Sequence, residues 1–168
     1  MNYDTAFSMV IGHEGGFTEH RNDRGNWTSG IMGQGQLKGT KYGISAMSYP
    51  SLDIKNLTLQ QAKDIYKRDY WDKVSGDQLP PLVAFNVFDG AINSGIGRSA
   101  RWLQMAVGAT PDGAIGPATL RAVAAQDERR TVTLYCAERL LFLASMNPTV
   151  WNNFGRGLVN RVAHNLKL

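Results

Sequence analysis

The chain has 168 residues, 43% of them hydrophobic, and a net charge of +4. That is enough for one domain with a real core, and too apolar for a disordered chain. No long apolar run follows Met1-Asn2-Tyr3-Asp4 and that start is not basic, so neither a membrane span nor a signal peptide is expected. A single cysteine, Cys136, excludes an internal disulfide and reads as a small core residue, because no base or turn beside it would make it a nucleophile.

The first helix is expected over residues 3–13, where Phe7, Val10, Ile11 and Glu14 fall three and four apart. Residues 15–57 are rich in glycine and polar groups, which predicts a small irregular sheet or hairpin, with Lys41-Tyr42-Gly43-Ile44-Ser45 as a short strand. Thr58-Leu59-Gln60-Gln61 is a capping box that opens a helix through Ala62, Ile65, Tyr66 and Tyr70. Pro80-Pro81 starts another, with Val83, Ala84, Val87, Phe88, Ala91 and Ile92 inward and a stop near Gly95. Residues 98–107 form the next around Trp102, Leu103, Ala106 and Val107, closed by Gly108. After the turn Thr110-Pro111-Asp112-Gly113, Pro117 begins a helix through Thr119, Leu120 and Val123.

Residues 129–146 give a leucine-rich helix with Leu134, Ala137, Leu140, Leu141 and Ala144 as its core face, ended by Asn147-Pro148. The last helix carries Trp151, Phe154, Leu158, Val162 and Leu166. The fold class is therefore mainly α (α+β): one domain over 1–168, with a β-containing part at 1–80 and a helical bundle at 81–168.

Charge is unevenly spread. Residues 1–138 carry 14 basic and 14 acidic side chains, and Arg139, Arg156, Arg161 and Lys167 supply the excess. This points to a C-terminal contact with something anionic. The segment 149–168 reads either as a docked helix with a solvated basic face or as one that meets anionic envelope lipids.

Glu14 is the residue most out of place. It continues an apolar stripe and then meets Gly15-Gly16-Phe17. A carboxyl in such surroundings tends to keep its proton toward neutral pH, as the acid of glycosidic cleavage must. Asp23 follows on a loop, and Thr40 precedes Lys41-Tyr42-Gly43-Ile44. Glycosidases need two differently tuned groups: one protonates the leaving oxygen, the other stabilises charge, attacks, or activates water. Each of these residues also has a plain local reading. Glu14 can be a helix-end carboxylate, Asp23 a turn residue, and Thr40 a local cap.

Glu14-Gly15-Gly16-Phe17, Asp23-x-Gly25 and Thr40-x-x-Gly43-Ile44 together resemble the glycoside hydrolase family 108 muramidases of phage and prophage, lysozyme-like endolysins. Phe17 stands where that family has tyrosine, and a glycine-rich insert from about Thr28 to Gly39 separates Asp23 from Thr40. The resemblance implies a lysozyme-like fold and hydrolysis of the β-1,4 bond between N-acetylmuramic acid and N-acetylglucosamine in peptidoglycan, without metal or cofactor. It implies Glu14 as the acid, with Asp23 and Thr40 as the other catalytic candidates. The order Glu, Asp, Thr is also similar to the triad of T-even phage lysozymes. Residues 89–95 and 108–120 resemble the helical peptidoglycan domain that accompanies the family, so most of the chain is covered.

Tyr42, Asp89 and Asn93 are the expected substrate contacts. Asn86, Asp89 and Asn93 share one helix face, and either line the sugar cleft or tie elements together by buried hydrogen bonds. His13, His20 and His164 lack zinc-ligand spacing, which argues against a zinc amidase, and no nucleic-acid motif is present. The resemblance implies an enzyme that waits in the host cytoplasm for release by a holin-type partner; a monomer is expected. Rival readings are a lytic transglycosylase, a chitinase-like enzyme and a non-catalytic wall-binding module.

Overall fold

The computed structural model describes residues 1–11 and 16–168. They form two compact units: Phe7–Lys67, and Met1–Ala6 with Arg68–Leu168. The expected division at residue 80 thus lies earlier, and the first six residues join the helical unit. The reason is aromatic: Tyr3 sits 5.4 Å from Trp71 and 5.9 Å from Phe88, ring centre to ring centre.

Unit Phe7–Lys67 is loop-rich. Helix α1 (Tyr3–Ile11) buries Phe7 and Val10, and Phe7 packs edge-on against Tyr66. The expected strand over 41–45 is instead a tight hairpin, β1 (Thr40–Lys41) against antiparallel β2 (Ile44–Ser45). Its two turn residues, Tyr42 (φ 51°) and Gly43 (φ 75°), both adopt the left-handed conformation that short hairpins use. A Cβ on Gly43 would lie 2.4 Å from the Tyr66 hydroxyl, which donates to the Tyr42 carbonyl at 3.3 Å. Helix α2 (Leu59–Tyr66) starts on the expected capping box: Gln61 N–H donates to Thr58 Oγ1 and Thr58 N–H to Gln61 Oε1. It runs into a π turn at Lys67–Trp71, so Tyr70 lies beyond the α-helix proper.

The helical unit is built around α3 (Pro81–Ser94), in which every residue from Val83 to Ala91 is buried. A helix covered all round is a central one. Helices α4 (Ile96–Ala106) and α6 (Glu128–Ala144) pack on it, and α5 (Pro117–Ala124) starts at the expected proline. Glu128 of α6 accepts from Leu82 N–H, so one helix caps another. Gly90 is required by close approach: a Cβ there would lie 2.0 Å from the Tyr135 hydroxyl. Ser99 donates to the Val87 carbonyl, which leaves the Tyr135 hydroxyl as donor to Ser99 Oγ at 2.7 Å.

Helix α6 is rotated relative to its leucine pattern. Its buried face is Thr131, Val132, Tyr135, Cys136, Arg139 and Leu143, while Ala137, Leu141 and Ala144 are exposed. Polar partners inside the unit draw in Tyr135 and Arg139, and Leu141 goes outward. The C-terminal stretch is likewise not one helix. It comprises α7 (Pro148–Val150), capped by Asn147, a π turn at Trp151–Gly155, and α8 (Arg156–Asn165). Gly155 admits the Trp151 ring, which a Cβ would meet at 2.5 Å. Among the described residues no helix is long and apolar enough to cross a membrane.

Candidate active site

Glu14 and His13 lie outside the described residues, so the site is built from the segments that follow them. Thr18 and Thr40 exchange both backbone hydrogen bonds, at 2.9 and 2.8 Å. The Phe17 ring lies over Gly39 (φ 81°), where a Cβ would stand 2.6 Å from the ring and 2.3 Å from the Thr18 carbonyl. The motif phenylalanine and the motif threonine are thus held side by side across an isolated β-bridge.

Asp23 is exposed and caps a 3-10 turn at Arg24–Asn26; its Oδ1 accepts from Gly25 N–H at 2.8 Å. No described residue donates to its other carboxylate oxygen. Thr40 is half-buried and donates its hydroxyl to Asn26 Oδ1 at 2.7 Å.

Asn26 joins the two. It is 0% exposed. Its amide donates to the His20 carbonyl, its N–H donates to the Asp23 carbonyl, and its carbonyl accepts from both Lys38 and Gly39 N–H. Asp23 and Thr40 therefore stand on two sides of one buried asparagine. The sequence reading passed over this residue. The only signal available was a carboxamide at the end of Asn22-Asp23-Arg24-Gly25-Asn26, which looks like any turn.

The glycine-rich insert does not break this frame. Trp27 and Leu37 bridge, Thr28 N–H donates to the Gln36 carbonyl, and Gln36 N–H donates back to Thr28 Oγ1. The Trp27 indole donates to the Arg21 carbonyl at 2.9 Å. The insert closes on itself, and the chain returns to Asn26 in register for Thr40.

Tyr42 is half-buried, with the Lys41 ammonium 5.4 Å from its ring centre. Beside Phe17 an open groove of about 330 Å³ includes Glu19, Lys38, Asp53 and Lys55. Asn56 donates to Asp53 through its side chain and its N–H, and these bonds hold the Asp53 carboxyl below its ordinary range.

Asp89 departs from the expected role. It is 0% exposed, and its oxygens accept from Arg139 (2.9 Å), Asn165 (3.0 Å) and Arg161. No surface oxygen is left for a sugar. Asp89 is a buried tie among α3, α6 and α8, the other reading of that polar face. Asn86 is also internal, bonded to the Leu82 carbonyl and the Cys136 thiol. Asn93 is exposed, with its amide on the Asp89 carbonyl. Two of the four excess C-terminal cations, Arg139 and Arg161, thus find their anion inside the protein. Asp112 is structural: it accepts from Ala114 N–H and from Gln104, and both bonds lower its carboxyl pKa.

A family model described as glycosyl hydrolase 108 matches residues 7–95, and one described as a predicted peptidoglycan domain matches residues 98–163. Among solved structures, that of Brucella abortus SagA is similar at 32% sequence identity, with a TM-score of 0.79, over 98% of this chain and 91% of that one. No curated protein matches the chain.

Proposed function

The chain belongs to the glycosyl hydrolase 108 family and is a glycoside hydrolase that acts on peptidoglycan; from that footing we propose that it is an N-acetylmuramidase. The bond cut is the β-1,4 link from N-acetylmuramic acid to N-acetylglucosamine. Glu14 gives its proton to the glycosidic oxygen as the bond to the anomeric carbon breaks. Water adds to that carbon, its proton passes to a base, and a new reducing end is left. Asp23 and Thr40 are the residues we assign to stabilising the charge and orienting that water, and Tyr42 to contacting the sugar.

The observation that carries the reading is the Asn26 frame. It ties the backbone of Asp23 to the hydroxyl of Thr40 within the segment matched by the family model, and it spans the insert that separates them in sequence. The Asp23 oxygen to which no described residue donates supports the role, because a carboxylate with both oxygens committed would have none for water.

The motif resemblance also leads us to propose a phage endolysin, monomeric and held in the host cytoplasm until a holin-type partner releases it to the wall. Mass spectrometry of digested sacculi tests the reaction. Hydrolysis yields muropeptides ending in reducing N-acetylmuramic acid. Anhydro ends, one water lighter, would mean a lytic transglycosylase, and wall binding without new reducing ends would mean a binding module.

A further inference from the structure

We propose that the helical unit carries its own binding site for the N-acetylated glycan chain, in a groove where Phe154 is the stacking platform. The proposal rests on the chain's action on peptidoglycan and adds to it a place and a set of residues. The groove has a volume of about 550 Å³ and is lined by residues of α3, the turn after α6, and the stretch from α7 to α8.

Four features suit it to an amino-sugar chain. Phe154 is 61% exposed, although a ring of that size is ordinarily buried. A pyranose presents an apolar C–H face, and an exposed ring beside polar groups is the surface such a face covers. Asn153 and Asn93 place carboxamides on the same groove, within the chemistry that pairs with acetamido and hydroxyl groups. Met146, Val150 and Leu158 supply apolar wall for an acetyl methyl. Phe154 lies on the Trp151–Gly155 π turn, a distortion often found at functional sites.

Gly157 keeps the groove open. It sits in α8, where glycine costs helix stability, and a Cβ built on it meets no described atom within 4 Å. A larger residue there would enter the groove rather than the core. Among the described residues the lining contains no acid, and its one cation, Arg161, is already joined to Asp89. Lipid headgroups would need free cations; the ligand this groove fits is uncharged along its ring faces.

The test uses the full chain and two variants, Gly157→Leu to fill the groove and Phe154→Ala to remove the ring. Co-sedimentation with purified sacculi in the cold measures binding, release of reducing ends measures activity, and thermal unfolding checks the fold. Both variants are expected to unfold at the parent's temperature or slightly above it. Both should bind sacculi about tenfold more weakly, the scale of one lost aromatic contact and its neighbours. Phosphatidylglycerol vesicles form the second arm. If both folded variants bind sacculi like the parent, while the parent cuts them, the groove proposal is wrong and the enzymatic reading stands. If the parent neither binds nor cuts sacculi, both fall. If the variants lose vesicle binding but keep sacculus binding, the surface is a lipid contact and not a glycan site.

Discussion

The two units hold themselves together by different means. The helical unit is organised by burial: α3 is covered on all sides, Tyr3, Trp71 and Phe88 form one aromatic cluster, and Asp89 ties two arginines and an asparagine. Among the described residues of unit Phe7–Lys67 the strands are two residues long, and the segments of Asp23 and Thr40 are joined through the hydrogen bonds of one asparagine. Residues that must meet substrate need exposed, precisely aimed side chains, and loops fixed by polar contacts provide them. The lesson is that a lost contact in the helical unit should register in stability, and a lost contact of Asn26 in the other unit should register in activity.

The sharpest way to break that contrast is Asp89→Ala. Arg139 is 2% exposed and would keep its charge without a counter-ion. Removing one member of a buried pair costs about 3–5 kcal/mol. Urea unfolding should show a loss of that size; a loss within error would mean that water or another group already serves Arg139.

Asn26→Ala should reverse the balance. It strands the Thr40 hydroxyl and frees the His20 carbonyl, at roughly 1–3 kcal/mol. Activity on sacculi should fall by far more than the folded fraction does. Proportional losses would show that the frame supports the fold and not the reaction.

Thr58→Ala removes the cap of α2 and should cost about 1 kcal/mol, read as a lower unfolding midpoint with activity near normal. Cys136 gives the smallest effect. Burial pushes its thiol up to about 11 from an ordinary 9.0. The unfolded thiol ionises first, so this contribution to stability is full below pH 9 and is lost as pH rises toward 11. Alkylation by iodoacetamide at pH 8 should be slow in the folded protein and fast in urea; fast labelling without urea would contradict the buried position.

Legibility followed the same division. Where local chemistry sets the structure, the chain announced it: the Thr58–Gln61 box, the prolines that open α3 and α5, and the stop at Gly95 are all where the pattern put them. Where distant partners decide, spacing was silent. Asp89 meets Arg139 and Arg161 at separations of 50 and 72 residues, so nothing nearby distinguished a buried tie from a cleft residue. Distant partners, Asp89 for Arg139 and Ser99 for Tyr135, likewise turn these α6 residues inward and Leu141 outward, against the leucine pattern. In the loop-rich unit a sheet or hairpin is expected, but Tyr42 masks the turn inside residues 41–45, since tyrosine is not a residue that a left-handed turn ordinarily selects. Asn26 was hidden because its partners are mostly backbone groups, which no side-chain motif records.

Glu14→Gln tests the central claim most directly, because it keeps side-chain size and removes the ionisable group. On purified peptidoglycan, with the fold checked by circular dichroism, release of reducing ends should drop by about 10²–10⁴-fold, the usual contribution of a general acid. Near-normal release from the folded variant would contradict the account.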